Sequence, residues 1–129
     1  MAKVTVENGQ LVINIEGLRK VGTLKSKLLI PLENVEGAMI DLEAWNNTPK
    51  PFQKIAGIDS YGIYFGGAFR QNGKKIFYDL GKKDFAVVIK LKNAKYDRLI
   101  IGVDETKKIV DLINGSLNNN QYDQNELNI

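Results

Sequence analysis

Residues 61–80 read YGIYFGGAFRQNGKKIFYDL, and how this stretch is resolved decides the fold. Its glycines and basic end resemble a phosphate-binding loop. Such a loop needs a glycine, four residues and then Gly-Lys-Ser/Thr, so that backbone amides, lysine and hydroxyl surround the phosphates. Aligned on Gly73-Lys74, the first glycine position holds Ala68 and the hydroxyl position holds Lys75. A strand-like KIFYDL follows where a helix would have to start. The stretch reads instead as a β-hairpin turning at Asn72-Gly73, a dipeptide that tolerates the positive φ angles of a two-residue turn. That turn predicts a register of Gln71 with Lys74, Arg70 with Lys75, Phe69 with Ile76, Ala68 with Phe77 and Gly67 with Tyr78. Gly66 and Gly67 inside the strand read as points of curvature.

Working outward, KVTV and LVINIEG alternate apolar and polar residues around ENGQ and form a first hairpin. GLRKVGTLKSK is a loop or single helical turn, and KLLIPL is a short strand whose Pro31 belongs at an edge or a strand end. VEGAMIDLEAW alternates again, with a bulge at Gly37. Residues 46–60, NNTPKPFQKIAGIDS, break the pattern and read as a long surface connection. DFAVVIKL and RLIIGV supply buried strands. VDETKKIVDLINGSL changes to helical period, with Asp104 as N-cap, Ile109, Leu112 and Ile113 on one face, and a stop at Asn114-Gly115. The expectation is one mainly β (α+β) domain over residues 1–115, with about seven strands and one C-terminal amphipathic helix. Residues 116–129 read as a frayed or disordered tail.

The chain has 129 residues, a net charge of +3, no cysteine and no histidine. Disulfides, thiolate nucleophiles, thiolate zinc sites and imidazole acid–base catalysis are therefore excluded. No run approaches the ~20 apolar residues of a membrane span, and the N-terminus turns polar too soon for a signal peptide, so a cytoplasmic location is expected.

Three stretches, residues 10–37, 54–69 and 85–113, together resemble a bacterial PH-like (pleckstrin-homology-like) domain of the small stand-alone kind. They read QLVINIEGLRKVGTLKSKLLIPLENVEG, KIAGIDSYGIYFGGAF and FAVVIKLKNAKYDRLIIGVDETKKIVDLI. The chain differs from that pattern in carrying Ala56 before Gly57, where the family places proline. The resemblance implies a PH-like curled antiparallel barrel or split sheet closed by the terminal helix. It also implies a binding or assembly module, with no catalytic role carried over to any residue. The expectation is a non-enzymatic protein without cofactor or metal, whose exposed barrel edges act by protein–protein contact or homo-oligomerisation.

Between Arg70 and Arg98 the chain carries nine basic and three acidic residues, its sharpest charge asymmetry. Arg70, Lys74, Lys75, Lys82, Lys83 and Arg98 are thus candidates for a surface that binds a partner or an anion. Anionic lipid headgroups or nucleic acid are the alternative ligands. Lysines at hairpin tips also keep exposed edges soluble, which is the competing reading. Arg19, Lys20, Lys25 and Lys27 form a smaller basic cluster that reads as a solvated loop able to join the first in space. Trp45, Phe52 and Tyr61 bracket the proline-containing segment and either line a groove beside it or pin it to the core. Asp41, Glu43, Asp104 and Glu105 read as capping or surface carboxylates.

Overall fold

A computed structural model describes residues 1–17, 19–60 and 62–127. The strands are β1 (Lys3–Glu7), β2 (Gln10–Asn14), β3 (Lys27–Pro31), β4 (Val35–Asp41), β5 (Lys54–Ser60), β6 (Tyr64–Gln71), β7 (Lys74–Gly81), β8 (Phe85–Leu91) and β9 (Arg98–Val103). A short helix α1 (Arg19–Thr23) follows β2, and a long helix α2 (Thr106–Leu127) follows β9. Among the described residues no helix is long and apolar enough to cross a membrane.

The strands form two sheets, β1-β2-β3 and β4-β8-β9-β7-β6-β5. Both Asn-Gly turns have both central residues at positive φ, with Asn8 at 52° and Gly9 at 74°, and Asn72 at 52° and Gly73 at 78°. This geometry matches the strand twist, which is why each dipeptide makes a hairpin. The β6–β7 register is the one the turn predicts, from Gln71–Lys74 through Gly67–Tyr78. The bulge falls between Val35 and Gly37, as expected.

The core lies between the small sheet, one face of the large sheet and α2. Leu11, Ile13, Phe77, Ile89, Leu99 and Ile113 are completely buried there. A second apolar layer covers the opposite face of the large sheet, where Phe69, Tyr78, Leu80, Val88 and Ile100 meet Ala44 and Trp45. Phe69 and Tyr78 pack edge to face at 5.5 Å. Strand β7 therefore feeds both layers, sending Phe77 one way and Ile76 and Tyr78 the other. A strand buried on both faces loses polar alternation, hence the continuous apolar run IFY.

Several sequence expectations change. Among the described residues nine strands are present where about seven were expected, and β5 lies inside the segment read as an irregular connection. Strand β5 pairs with β6 by placing Gly57 directly opposite Gly67. These glycines sit at φ 143° and 102°, and a Cβ on Gly57 would collide with the Gly66 carbonyl oxygen. Only glycine fits this approach, so Gly67, read as a point of curvature, also serves close contact with β5, while a Cβ on Gly66 would meet the Tyr64 ring. The large sheet is also not wholly antiparallel, since β7 and β9 pair in parallel from Ile76–Arg98 to Asp79–Ile101. Neither sheet closes on itself.

The remaining two changes concern α2. The Glu105 carbonyl accepts the first intrahelical bond, from the Ile109 amide at 3.1 Å, so the helix starts one residue later than an Asp104 cap implies. It also runs past Asn114-Gly115 to Leu127, through most of the segment read as a tail. Asn114 does not end the helix because its side chain is committed to β4. Its Oδ1 accepts from the Ala38 amide at 3.0 Å, and its Nδ2 donates to the Ala38 carbonyl at 2.9 Å.

Candidate functional site: the free sheet edges

Hydrogen-bond parity tells which backbone groups each edge strand turns outward. In an antiparallel pair both groups of a residue point to the same side, and the side alternates along the strand. The two-residue turn makes Gln71–Lys74 a bonded pair, so Tyr64, Gly66 and Ala68 of β6 aim at β5. Their partners Ala56, Ile58 and Ser60 aim back, leaving Gly57 and Asp59 facing outward. Among the described residues β5 pairs with β6 alone. Its side chains are also uncovered, with Ile55 46% and Ile58 42% exposed, and Phe52 just before the strand 85% exposed.

The same parity applies to β3. Ile15 donates to the Ser26 carbonyl at 2.9 Å and Leu32 to the Gly9 carbonyl at 2.9 Å, so Leu11–Ile30 and Ile13–Leu28 are the bonded pairs. Lys27 and Leu29 therefore turn their amides and carbonyls outward, and among the described residues nothing pairs with that edge. The edge borders a groove of about 440 Å³ with Leu28, Ile30 and Leu91 in its lining and Lys25, Lys27 and Lys95 around it. Its far wall is the β8–β9 turn, held by Lys92 N–H to the Asn34 carbonyl (2.9 Å) and by Asp97 N–H to the Lys75 carbonyl (2.8 Å). Lys25 is delivered to the groove by the end of α1. There the Thr23 hydroxyl donates to the Lys25 carbonyl at 2.7 Å, and Leu24 turns the chain at φ 60°.

Tyr96 stands in this groove, 7% exposed, its ring 5.4 Å from that of Phe77. The ammonium groups of Lys75 and Lys95 lie 5.4 and 5.6 Å from its ring centre, within cation–π range. The Lys25 charge, with some desolvation and the Lys75 charge, holds the Lys95 ammonium below the usual lysine range. Among the described residues none of Lys25, Lys27, Lys75 and Lys95 forms an ion pair. Asp97 is close by, but its carboxylate accepts the Lys75 backbone amide at 2.8 Å.

The basic residues singled out in the sequence thus separate. Lys75 joins Lys25 and Lys95 around Tyr96, whereas Lys74 and Arg98 join Lys90 at a second groove of about 420 Å³ on the opposite sheet face, over Ile76, Val88 and Ile100. Lys82 and Lys83 follow β7 at its far end, and Arg70 is exposed on β6. Of the aromatic trio, Trp45 packs edge-on to Phe65 at 5.3 Å and pins its segment to the second apolar layer. Phe52 projects outward, and Tyr61 lies outside the described residues.

A buried polar cluster went unread in the sequence. Asp79 is fully buried on β7, with its Oδ1 accepting from the Tyr64 hydroxyl at 2.6 Å. Arg19 reaches in from α1, bonding Asp84 at 2.7 Å, approaching Asp79 at 3.8 Å and lying over the Tyr64 ring at 4.9 Å. Asp84 in turn accepts the Gly81 amide at 2.8 Å. Burial raises the pKa of Asp79, opposed by the Tyr64 hydrogen bond and the Arg19 charge, and burial likewise pushes the Tyr64 hydroxyl well above its ordinary value. The cluster ties α1 to the β6–β7 end of the sheet. The available signal was one acid, Asp79, inside the apolar run of β7.

No family model, curated protein or solved structure matches the chain.

Proposed function

We propose that this protein is a non-enzymatic assembly module that takes up a protein strand along β5, with a second copy of the chain as the partner. The edge of β5 carries this reading: among the described residues the outward groups of Gly57 and Asp59 have no partner, and Ile55 and Ile58 beside them are exposed. Sheet edges with exposed apolar side chains recruit another strand, and β5 offers a regular one from Ala56 to Ser60, past the register shift between Lys54 and Ala56 that blunts its start. The strand also suits its own copy. An antiparallel register centred on Ile58 matches Gly57 with Asp59 reciprocally and stacks Ile58 on its counterpart, the self-complementary contact of a two-fold dimer.

The PH-like resemblance enters this reading as a fold proposal. A terminal helix laid on a β-sheet supports it, while the parallel β7–β9 pairing and the two open sheets depart from an antiparallel barrel.

Sedimentation velocity across a micromolar concentration series tests the function. The wild-type chain should convert from monomer to dimer. Asp59→Pro, which deletes an outward-facing N–H without touching the β5–β6 ladder, should stay monomeric and melt at the temperature of the dilute, monomeric wild type. A wild-type chain that remains monomeric throughout overturns the reading.

A further inference from the structure

The second bare edge differs in chemistry from the first. Strand β3 presents the outward groups of Lys27 and Leu29 to a groove, and around that groove stand Lys25, Lys27 and Lys95, with Lys75 at its tyrosine. Lysines spread along an edge keep strands from pairing. Here they converge from α1, β3, β7 and the β8–β9 turn, and no ion pair among the described residues relieves them. Like charges gathered this way disfavour the unliganded state and favour one bound to a chain of negative charge.

We infer that the β3 groove binds an extended acidic peptide segment, added antiparallel to β3 so that its backbone pairs with Lys27 and Leu29 while its carboxylates meet the lysines. Apolar side chains at alternate positions of that segment would settle on Leu28, Ile30 and Leu91, which line the groove. Peptide is favoured over nucleic acid because single-stranded recognition stacks bases on exposed aromatic faces. Tyr96 has no such face, being 7% exposed and packed on Phe77. Peptide also uses the free β3 backbone, for which a lipid headgroup has no equivalent. The inference rests on residues separate from the β5 edge, so Asp59→Pro leaves it intact and the two readings fail independently.

Fluorescence anisotropy tests it, using a short labelled peptide that alternates glutamate and valine. Comparison ligands are the same peptide with lysine for glutamate, a single-stranded DNA oligomer and phosphatidylserine vesicles, each at low and physiological salt. The acidic peptide should bind, more weakly as salt rises, and the lysine peptide should not. The double variant Lys25→Glu/Lys95→Glu should weaken binding about tenfold or more by reversing the rim charge. Leu29→Pro removes one outward N–H, leaves the β2–β3 bonds untouched and is tolerated on an edge. It should weaken binding about tenfold while its circular dichroism spectrum stays that of the wild type. Unchanged peptide affinity in Leu29→Pro of wild-type fold overturns strand addition. Tighter binding of DNA or vesicles than of the acidic peptide overturns the peptide assignment, as does absence of peptide binding at low salt.

Discussion

The two edges of the large sheet end in opposite ways. At β4 the helix α2 lies alongside, and Asn114 bonds both backbone groups of Ala38, doing with one side-chain amide what a neighbouring strand would do. At β5 the backbone groups of Gly57 and Asp59 face outward with no partner among the described residues, beside isoleucines that are more than two-fifths exposed. Among the described residues, one side chain clasps the outward-facing Ala38 of β4, and none does the same for Gly57 and Asp59 of β5, although α1 lies near that strand. The clasp at Ala38 shows how this fold satisfies an outward-facing backbone residue, and the proposed partner surface on β5 rests on there being no such clasp at Gly57 and Asp59 among the described residues.

The comparison breaks most severely at Gly57. Gly57→Ala forces a Cβ into the Gly66 carbonyl at a left-handed φ of 143°. It should cost about 3 kcal/mol in urea denaturation, or detach β5 and abolish dimerisation, which sedimentation would register. Next comes the covered edge. Asn114→Ala leaves the amide and carbonyl of Ala38 without partners and should cost about 1–3 kcal/mol, read from the denaturation midpoint. If the loss is below about 0.5 kcal/mol, the clasp is incidental and the contrast between the edges weakens.

A smaller effect comes from the cluster behind the bare edge. Burial raises the folded-state pKa of Asp79 above its ordinary 3.8. The folded protein then holds a proton that the unfolded chain releases, so Asp79's contribution to stability is fully present below 3.8 and is lost as pH rises through the folded-state value. Asp84 pushes in the same direction as burial, while Tyr64, Arg19 and the N-terminal ammonium oppose it. Asp79→Asn should flatten the wild-type fall in melting temperature across that window, measured by calorimetry in a pH series. Equal slopes in the two proteins would show that Asp79 titrates normally and that the cluster does not hold α1 as described.

What could be read from the sequence follows how local each determinant is. The β6–β7 register was legible because Asn72-Gly73 sets the turn from within and alternation carries it outward. Strand β5 was not, because Gly57 is strand-like only where Gly67 comes close enough to exclude any side chain, and that contact joins two separate segments. The end of α2 was misread because Asn114 carries a C-cap signature while serving a strand distant in sequence. Lys25 and Lys75 were legible as basic, and Lys95 falls within the basic stretch from Arg70 to Arg98. Their convergence on Tyr96 depends on how α1, β7 and the β8–β9 turn pack, which no spacing in the chain encodes.

Amide hydrogen exchange at several protein concentrations sets the two edges side by side in one measurement. The Ala38 amide should be protected at every concentration. The Gly57 and Asp59 amides should exchange rapidly when dilute and gain protection as concentration rises, because a second copy pairs with them. If Gly57 and Asp59 stay rapid at concentrations where the protein is fully dimeric, or Ala38 exchanges as fast as they do, the contrast between a covered and a bare edge is contradicted.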